Sequence, residues 1–469
     1  MIRLTLLAII MLLCIRSYSQ PATFINHYSD SLHERGLKLV EDKQGNFLIL
    51  LNTGLQWPFF QSLIKTDPYG NVLFKKDIDT AFGYFFDVTA TFDSCYVLVG
   101  GKYGQDFAYK IDSNGDSVWA YNYPPVLPND HGNLVSVNEN LDHRLWVCGQ
   151  NSIVTPICCR GYYFSIDSSG VRSNYASTGD GRGINVKHDI DSNIYIQYEI
   201  IPGNIIAAGL TKINRNGVTY FSKNFGGGLL PRLLLPLNGH DALWGNYPFG
   251  GYPATGLLIF KIDSAGNSSL IKNPNYPTLA ITGLDFNCNN GYVLSGFTNV
   301  VPNDSFSNPV LYFLNDSLDS IGSVNYSLPE DDEIYSLIRT SDSAYAMTGA
   351  TTSYGNGDWD VLFIKTDCNG GFTNIDETEI INDKLKVYPN PASTSFTIED
   401  LNNIIQKVEL LDVSGRVVQT SSLTTALKGA AFNTNKSFTI TTENISDGIY
   451  LLRVETIKGV LNEKVVVSH

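Results

Sequence analysis

Residues 105–123 read QDFAYKIDSNGDSVWAYNY. An apolar and aromatic run carrying one Lys leads into Asp-x-x-Gly, and a second short aromatic run follows. Asp at the head of such a turn bonds the backbone two residues on, and Gly accepts positive φ, so the phrase describes a tight β-hairpin. It recurs as LIKTDPYG ending at Gly70, AYKIDSNG at Gly115, YFSIDSSG at Gly170, LTKINRNG at Gly217, IFKIDSAG at Gly266 and FIKTDCNG at Gly370. A degenerate copy, YFLNDSLD, surrounds Asn315. The anchors Asp67, Asp112, Asp167, Asn214, Asp263, Asn315 and Asp367 lie 45, 55, 47, 49, 52 and 52 residues apart. Seven copies at this period identify a repeat architecture.

Working outward, a second apolar run precedes each copy, as in NFLILLNTG (46–54), CYVLVGG (95–101), GYVLSG (291–296) and AYAMTG (344–349). Ahead of that lies an alternating stretch such as LKLVED (37–42), INVKHD (184–189) or SLIRTSD (336–342). Each repeat therefore holds four short strands bounded by turn residues. Four antiparallel strands repeated seven times predict an all-β, seven-bladed β-propeller, because a closed ring protects edges that a linear array would expose. The last repeat stops after GFTNI, while ATFINHY (22–28) resembles an outer strand without its blade. That N-terminal strand is predicted to complete the seventh blade and latch the ring.

Length and composition fit this reading. The chain has 469 residues, 43% hydrophobic and only 17% charged, with 41 Gly, 26 Tyr and 24 Phe, which excludes disorder. A net charge of −14 with no Lys/Arg-rich run argues against nucleic acid or an anionic membrane as partner. Residues 1–19 read as an export signal: Arg3, the apolar stretch Leu4–Cys14, then Ser17 and Ser19 before a cut that leaves Gln20. A lipid anchor on Cys14 is the alternative, weakened by Leu13 before it. Eleven apolar residues are too few to span a bilayer, and no later stretch is suited, so no transmembrane segment is expected in the mature chain. Losing Arg3 and Arg16 takes the charge from −14 to −16.

The mature cysteines, Cys95, Cys148, Cys158, Cys159, Cys288 and Cys368, show no metal-ligand spacing. Disulfides are permitted but optional in a chain with an ample core, and the vicinal Cys158 and Cys159 are weighed as a strained redox pair or as ordinary strand and loop cysteines. The Asp-x-x-Gly sites lack the spaced oxygens and late Glu of a calcium loop, so Asp67, Gly70, Asp112, Gly115, Asp167, Gly170, Asn214, Gly217, Asp263, Gly266, Asp367 and Gly370 are read as blade-turn residues. GNGDWD (355–360) clusters more oxygens, yet its place at a strand entrance favours a turn. The phrases GDWDVLFIKTD and QDFAYKIDSNGDSVWAYNY resemble the β-propeller repeats of secreted and surface bacterial proteins over about residues 22–372.

From residue 385 the texture changes. Eight Lys+Arg balance eight Asp+Glu there, so the propeller carries the acidity. KVYPNPASTSFTIED, KVELLDVSGRVVQT, FTITTENISDGIYLLRVET and NEKVVVSH predict a small Ig-like β-sandwich. These residues resemble the type A C-terminal sorting domain of the type IX secretion system of Bacteroidota. The likeness rests on Tyr388, Pro389, Asn390 and Pro391, on Asp412 and Gly415, on Gly448 and Tyr450, and on Lys464. It implies an exported protein, secreted or on the outer cell surface, whose tail engages the secretion machinery and is usually removed, with release or attachment to surface lipopolysaccharide. The expected layout is a signal peptide (1–19), the propeller (20–372), an acidic linker (373–384) and the sorting domain (385–469).

Chemistry is harder to find. The seven His are scattered, and neither a nucleophile elbow nor a phosphate-binding glycine loop is present, so no catalytic, metal or cofactor residue is assigned and no cofactor is expected. The acidic run Glu330–Glu333, like Asp130-His131 and Asp180, is read as solvated inter-blade loop. Most of the five Trp fall on strands and read as core, with Trp57 the best candidate for a binding face. Seven D-[ST]-[AILVM] triplets, among them Asp263-Ser264-Ala265 and Asp342-Ser343-Ala344, resemble the O-glycosylation signal of this bacterial group, although several fall in repeat turns. Two functions stand: a non-catalytic surface or secreted scaffold receiving a glycan, peptide or protein, or a polysaccharide hydrolase or lyase with convergent carboxylates near the axis.

Overall fold

A computed structural model of the protein describes residues 22–29, 33–54, 60–78, 83–124, 131–152, 159–200, 207–227, 229–248, 257–272, 279–298, 306–355, 358–372, 386–399, 405–412, 416–422, 437–456 and 459–469. The signal at 1–19, Trp57, Asp130, Cys158, the linker 373–384 and Gly415 lie outside these residues. The chain divides into two compact units, 1–373 and 374–469.

The first unit is a ring of antiparallel sheets. β1 (Phe24–Tyr28) precedes blade 1, formed by β2 (Glu34–Glu41), β3 (Phe47–Thr53), β4 (Phe60–Thr66) and β5 (Val72–Ile78). Blade 2 follows with β6 (Tyr84–Ala90), β7 (Tyr96–Lys102), β8 (Gln105–Ile111) and β9 (Ser117–Tyr123). Blade 3 opens with β10 (His131–Glu139), β11 (Leu145–Ser152) and β12 (Cys159–Ile166). Its outer strand, β13 (Arg172–His188), runs on without a break to become the inner strand of blade 4, ahead of β14 (Ile194–Ile200), β15 (Ala207–Ile213) and β16 (Thr219–Gly227). Blade 5 comprises β17 (Leu229–Pro236), β18 (Ala242–Pro248), β19 (Leu258–Ile262) and β20 (Ser268–Lys272). Blade 6 comprises β21 (Leu279–Phe286), β22 (Tyr292–Thr298), β23 (Pro309–Leu314) and β24 (Ser320–Asn325). Blade 7 has β25 (Asp332–Arg339), β26 (Tyr345–Thr351) and β27 (Asp360–Thr366), and takes β1 as its outer strand.

The latch is therefore real: β1 pairs antiparallel with β27 from Phe24↔Lys365 to Tyr28↔Val361. Packing completes the circle. Each neighbouring pair of blades encloses its own apolar cluster, and the pair formed by blades 7 and 1 is no exception, with Leu39, Phe47 and Ile49 against Ala346, Val361 and Phe363. Hydrogen bonds cross the same seam, from Glu34 N to Trp359 O at 2.7 Å and from Ser341 N to Glu41 Oε2 at 2.7 Å. Two sequence expectations need correction. Asp180 sits inside β13 rather than in a loop, because Gly179 (φ +95°) and Gly181 (φ +155°) let one strand swing from blade to blade. Nor is the run Glu330–Glu333 uniformly solvated: Asp332 is fully buried, and Asp331 accepts from Ser307 N at 2.9 Å.

The second unit is a sandwich. β28 (Lys386–Tyr388), β29 (Ser395–Glu399) and β32 (Ser437–Thr441) form one sheet; β30 (Ile405–Leu411), β31 (Val417–Ser422), β33 (Gly448–Thr456) and β34 (Gly459–Val467) form the other. Phe396, Ile398 and Ile440 from the first meet Val408, Leu410, Leu452, Val454, Val465 and Val467 from the second in one core. No helix among the described residues is long and apolar enough to cross a membrane.

Candidate functional site

Up-down strand order sends the connections between first and second strands, and between third and fourth, to one end of the ring. At that end every turn holds five residues, from 42–46 and 67–71 in blade 1 to 340–344 and 367–371 in blade 7. The fourth residue of each has positive φ: Gly45, Ser94, His143, Ser192, His240, Asn290 and Ser343 in the inner turns, and Gly70, Gly115, Gly170, Gly217, Gly266, Leu318 and Gly370 in the outer ones. The Asp or Asn that opens an outer turn spends one side-chain oxygen on two backbone N–H groups. Asp67 accepts from Tyr69 and Asn71, Asp112 from Asn114 and Asp116, Asp167 from Ser169 and Val171, Asn214 from Asn216 and Val218, Asp263 from Ala265 and Asn267, and Asp367 from Asn369 and Gly371, all at 2.7–3.0 Å. An oxygen used this way is a turn builder rather than a calcium ligand. The N–H of Asp116 and that of Asn114 hold the Asp112 carboxyl below its usual range.

The outer-turn glycines do more than turn. A Cβ on Gly170 would lie 2.2 Å from the Tyr121 ring of the preceding blade, on Gly266 2.7 Å from Phe221, and on Gly70 2.8 Å from Phe24. Their carbonyls are also docking points: Tyr28 Oη donates to Gly70 O, Tyr123 to Gly170 O and Tyr326 to Gly370 O, each at 2.8 Å.

The Lys of the repeat has a role that its spacing did not reveal. Lys65, Lys110, Lys212, Lys261 and Lys365, on the third strand of their blades, pair with Asp42, Asp93, Asp189, Asp241 and Asp342 of the inner turn, at 3.2, 2.5, 3.8, 2.9 and 2.7 Å. Lys65 and Asp42 keep only 5% and 3% of their side-chain surface exposed. Burial pushes the Asp42 carboxyl up, but hydrogen bonds from Tyr96, Asn46 and Lys65 outweigh it and hold the group below the usual range. In blade 3, Ser165 replaces the Lys and Arg144 supplies the cation, donating to Ser165 Oγ and Ser173 Oγ. The signal for these pairs was present in sequence as an acidic turn and a lone Lys one hairpin apart.

One set of three groups among the described residues converges at this end. Ligand atoms of Asp189, Asp191 and His240 lie within 4.8 Å of one another. Asp189 is already surrounded, by Asn193 Nδ2 at 2.9 Å, two backbone N–H groups and the Lys212 ammonium. A resident ammonium beside the buried carboxylate makes this a junction between blades 4 and 5 rather than a built metal centre.

The opposite end follows no such rule. Connections between second and third strands run from two residues (103–104) to ten (299–308), and those between blades from none at β13 to seven (124–130). Each inner strand also carries a register shift near this end, placing Leu37, Phe86, Val135, Ile184, Arg232, Thr282 and Tyr335 at equivalent bulges. The residue before each bulge is buried and the bulged residue never is. Since each bulge lies on a stretch that pairs on one side only, the bulges face the central opening, apolar from blades 1 to 4 and polar or aromatic from blades 5 to 7.

Several of the described charged groups around that ring are engaged. Glu199, nearly buried, lies 3.3 Å from Arg182 and 3.9 Å from Arg232. Glu34 meets Lys75 at 2.7 Å, the Arg35 guanidinium stands 4.8 Å over the Trp359 ring, and Tyr335 Oη donates to Glu333. Burial raises the Asp106 carboxyl to about 7 although Tyr162 Oη donates to it. Burial likewise raises Asp332 to about 6, against Ser353 Oγ donating at 2.5 Å. Trp146 and Trp244 are buried core, and Trp359 stands near this rim with the Arg35 guanidinium over its ring.

In the sandwich, the two strongest sequence landmarks meet. Asn390 Nδ2 donates to Lys464 O at 2.7 Å and Asn390 Oδ1 accepts from Val466 N at 2.8 Å, so the Tyr388–Pro391 stretch is docked on the last strand. Ala392 continues the join, N to Val466 O at 2.8 Å. Asp412 caps its own turn, accepting from Arg416 N and Nε at 3.1 Å. Gly448 opens β33 opposite Val467, and Tyr450 enters the core with its hydroxyl on Ser446 O at 2.7 Å. Tyr388 and Lys464 remain exposed.

Residues 386–468 match the family model described as a secretion system C-terminal sorting domain. No curated protein matches the chain. Among solved structures, a protein of unknown function from Dyadobacter fermentans is 7% identical, covering 74% of this chain and 98% of its own, with a TM-score of 0.44. One from Bacteroides caccae is 10% identical over 63% and 94%, with a TM-score of 0.37. The Dos1 propeller is 14% identical over 71% and 77%, with a TM-score of 0.45.

Proposed function

For a β-propeller that carries a type IX secretion sorting domain and works outside the cell, secreted or on the outer surface, we propose the role of a non-catalytic binding scaffold. Its ligand is a glycan, peptide or protein received at the irregular end of the ring. The observation that carries this reading is the contrast in connection length, with five residues at every turn on one end and none to ten on the other. Binding segments are characteristically loops of free length held by a rigid frame. The bulge ring supplies a mouth with an apolar arc (Leu37, Phe86, Val135, Ile184) and a polar arc (Arg232, Thr282, Tyr335), a combination that suits an amphipathic sugar face or a mixed peptide. Several charged groups there are committed to partners, which favours recognition over acid–base chemistry.

In this reading residues 20–372 bind, 373–384 link, and 385–469 deliver, with Tyr388 and Lys464 presenting the surface that the machinery meets. The test is a glycan array and a pull-down from the extracellular milieu, using the exported protein. Selective retention of one ligand class supports the proposal, and silence in both assays contradicts it. A chain truncated before residue 385 should remain in the periplasm; normal surface delivery would refute the assignment of the tail.

A further inference from the structure

The ring closes on a strand borrowed from the N-terminus, so blade 7 holds its own outer strand by strand pairing and side-chain packing, with no chain connection between β27 and β1. Two thiols meet beside that blade. Cys288 is the second residue of the inner turn of blade 6 (287–291), and Cys368 the second residue of the outer turn of blade 7 (367–371). The next residues of these turns touch, Asn289 Nδ2 donating to Asn369 Oδ1 at 3.3 Å. The two cysteine side chains are in hydrogen-bond contact with each other, and Cys288 Sγ also lies 3.2 Å from Ser343 O of blade 7. Cys288 N donates to Tyr345 Oη at 3.0 Å, which fixes the turn against blade 7. At the equivalent positions in other blades stand Lys43, Phe92, Leu141, Ile190, Asn238 and Ser341, and Pro68, Ser113, Ser168, Arg215, Ser264 and Asp316. Cysteine thus faces cysteine at these positions at one junction of the ring, beside the blade that lacks a continuous chain.

We propose that in the exported protein Cys288 and Cys368 form a disulfide that staples blade 7 to blade 6. Export takes the chain through an oxidising compartment where such bonds form and persist. The step converts two S–H groups into one S–S bond; the two electrons and two protons pass to the disulfide of a periplasmic thiol oxidase, which departs as a dithiol. The bond is structural rather than an exchange centre. Burial, and then the adjoining Cys288 thiol, push Cys368 up to about 12, which makes it a poor leaving group when an outside thiolate attacks the finished bond. The other described cysteines are poorer partners: Cys148 and Cys159 are buried on strands of blade 3, and Cys95 belongs to the inner turn of blade 2.

The exported full-length protein, denatured with iodoacetamide but without reductant and then digested, should yield one cross-linked peptide pair carrying Cys288 and Cys368. The pair should vanish on reduction and in Cys368→Ser, a variant suited to the site because Ser occupies that position in three other blades. Finding both residues alkylated, or either joined to another cysteine, overturns the proposal. Hydrogen exchange tests the staple itself. Reduction or Cys368→Ser should speed exchange in β1 and β27 by about tenfold or more while blades 2 to 4 stay unchanged. Unchanged rates in β1 and β27 would contradict the stapling role.

Discussion

On one end of the propeller all connections have the same length, the same left-handed fourth residue and, in most blades, the same Lys–Asp pair. On the other end the connections range from none to ten residues, and the groups nearest the axis change character from blade to blade. Both ends are built on the same strands, so the strands do not cause the difference. At the uniform end the turns are the contacts between blades: their glycines abut the preceding blade and their carbonyls receive its tyrosines. A change there disturbs two blades at once. At the irregular end the connections carry no such shared duty, and length and chemistry are free to serve a ligand.

The largest expected effect lies at the uniform end. Lys65→Met leaves the buried Asp42 carboxylate without its cation and should lower stability by about 3–5 kcal/mol in denaturant titration; a loss under about 1 kcal/mol would break the comparison. Gly170→Ala imposes both a positive φ of 89° and a Cβ 2.2 Å from Tyr121, and should cost about 2–4 kcal/mol. Gly179→Ala, with φ 95° but open space around it, should cost only about 1 kcal/mol, so the difference isolates the blade contact from the backbone strain.

The Asp residues that open the inner turns and the buried Asp106 of the irregular end shift in opposite directions. The Asp42 and Asp189 carboxyls of the uniform end are held low, so the stability they contribute is present above about pH 4 and disappears on acidification below it. Asp106, at the irregular end and raised to about 7, binds its proton more tightly in the folded chain, so its contribution is full in acid and is lost as pH rises through 7. Asp106→Asn should therefore remove about 1–3 kcal/mol of the wild-type decline between pH 4 and 8, read from denaturation midpoints. Equal slopes for both proteins would show that Asp106 is not the source. The smallest effect on stability belongs to Arg232→Ala, within about 1 kcal/mol, since Arg182 remains beside Glu199.

Much of this was legible in the chain. The spacing of Asp67, Asp112, Asp167, Asn214, Asp263, Asn315 and Asp367 sets the blade count, because a hairpin needs its turn residues wherever the repeat falls. The missing fourth run of the last repeat and the spare strand at 22–28 foretold the latch for the same reason. Gly179-Asp180-Gly181 misled, since a glycine pair signals a loop as readily as the swing of a continuous strand. Leu318 was equally opaque: it adopts the left-handed conformation at φ 62° because burial in the apolar cluster between blades 5 and 6 over-determines it. The Lys–Asp pairs left only a faint trace, an acidic turn and a lone Lys one hairpin apart, and the bulge ring left none, because both depend on which residues of separate strands become neighbours. The tail was readable as Tyr388–Pro391 and Gly448–Val454, yet the bond between Asn390 and the last strand required the fold.

The account turns on which end of the ring receives the ligand. The most direct measurement compares retention of three exported proteins on the same glycan and protein panel: wild type, Phe86→Ala/Arg232→Ala/Tyr335→Ala at the irregular end, and Asn114→Ala/Ser168→Ala/Asn216→Ala at the uniform end. All three should be folded by circular dichroism and thermal melting. The account predicts that the first triple variant loses at least about tenfold in affinity, roughly 1.4 kcal/mol, while the second binds as wild type does. Loss confined to the second variant would contradict it.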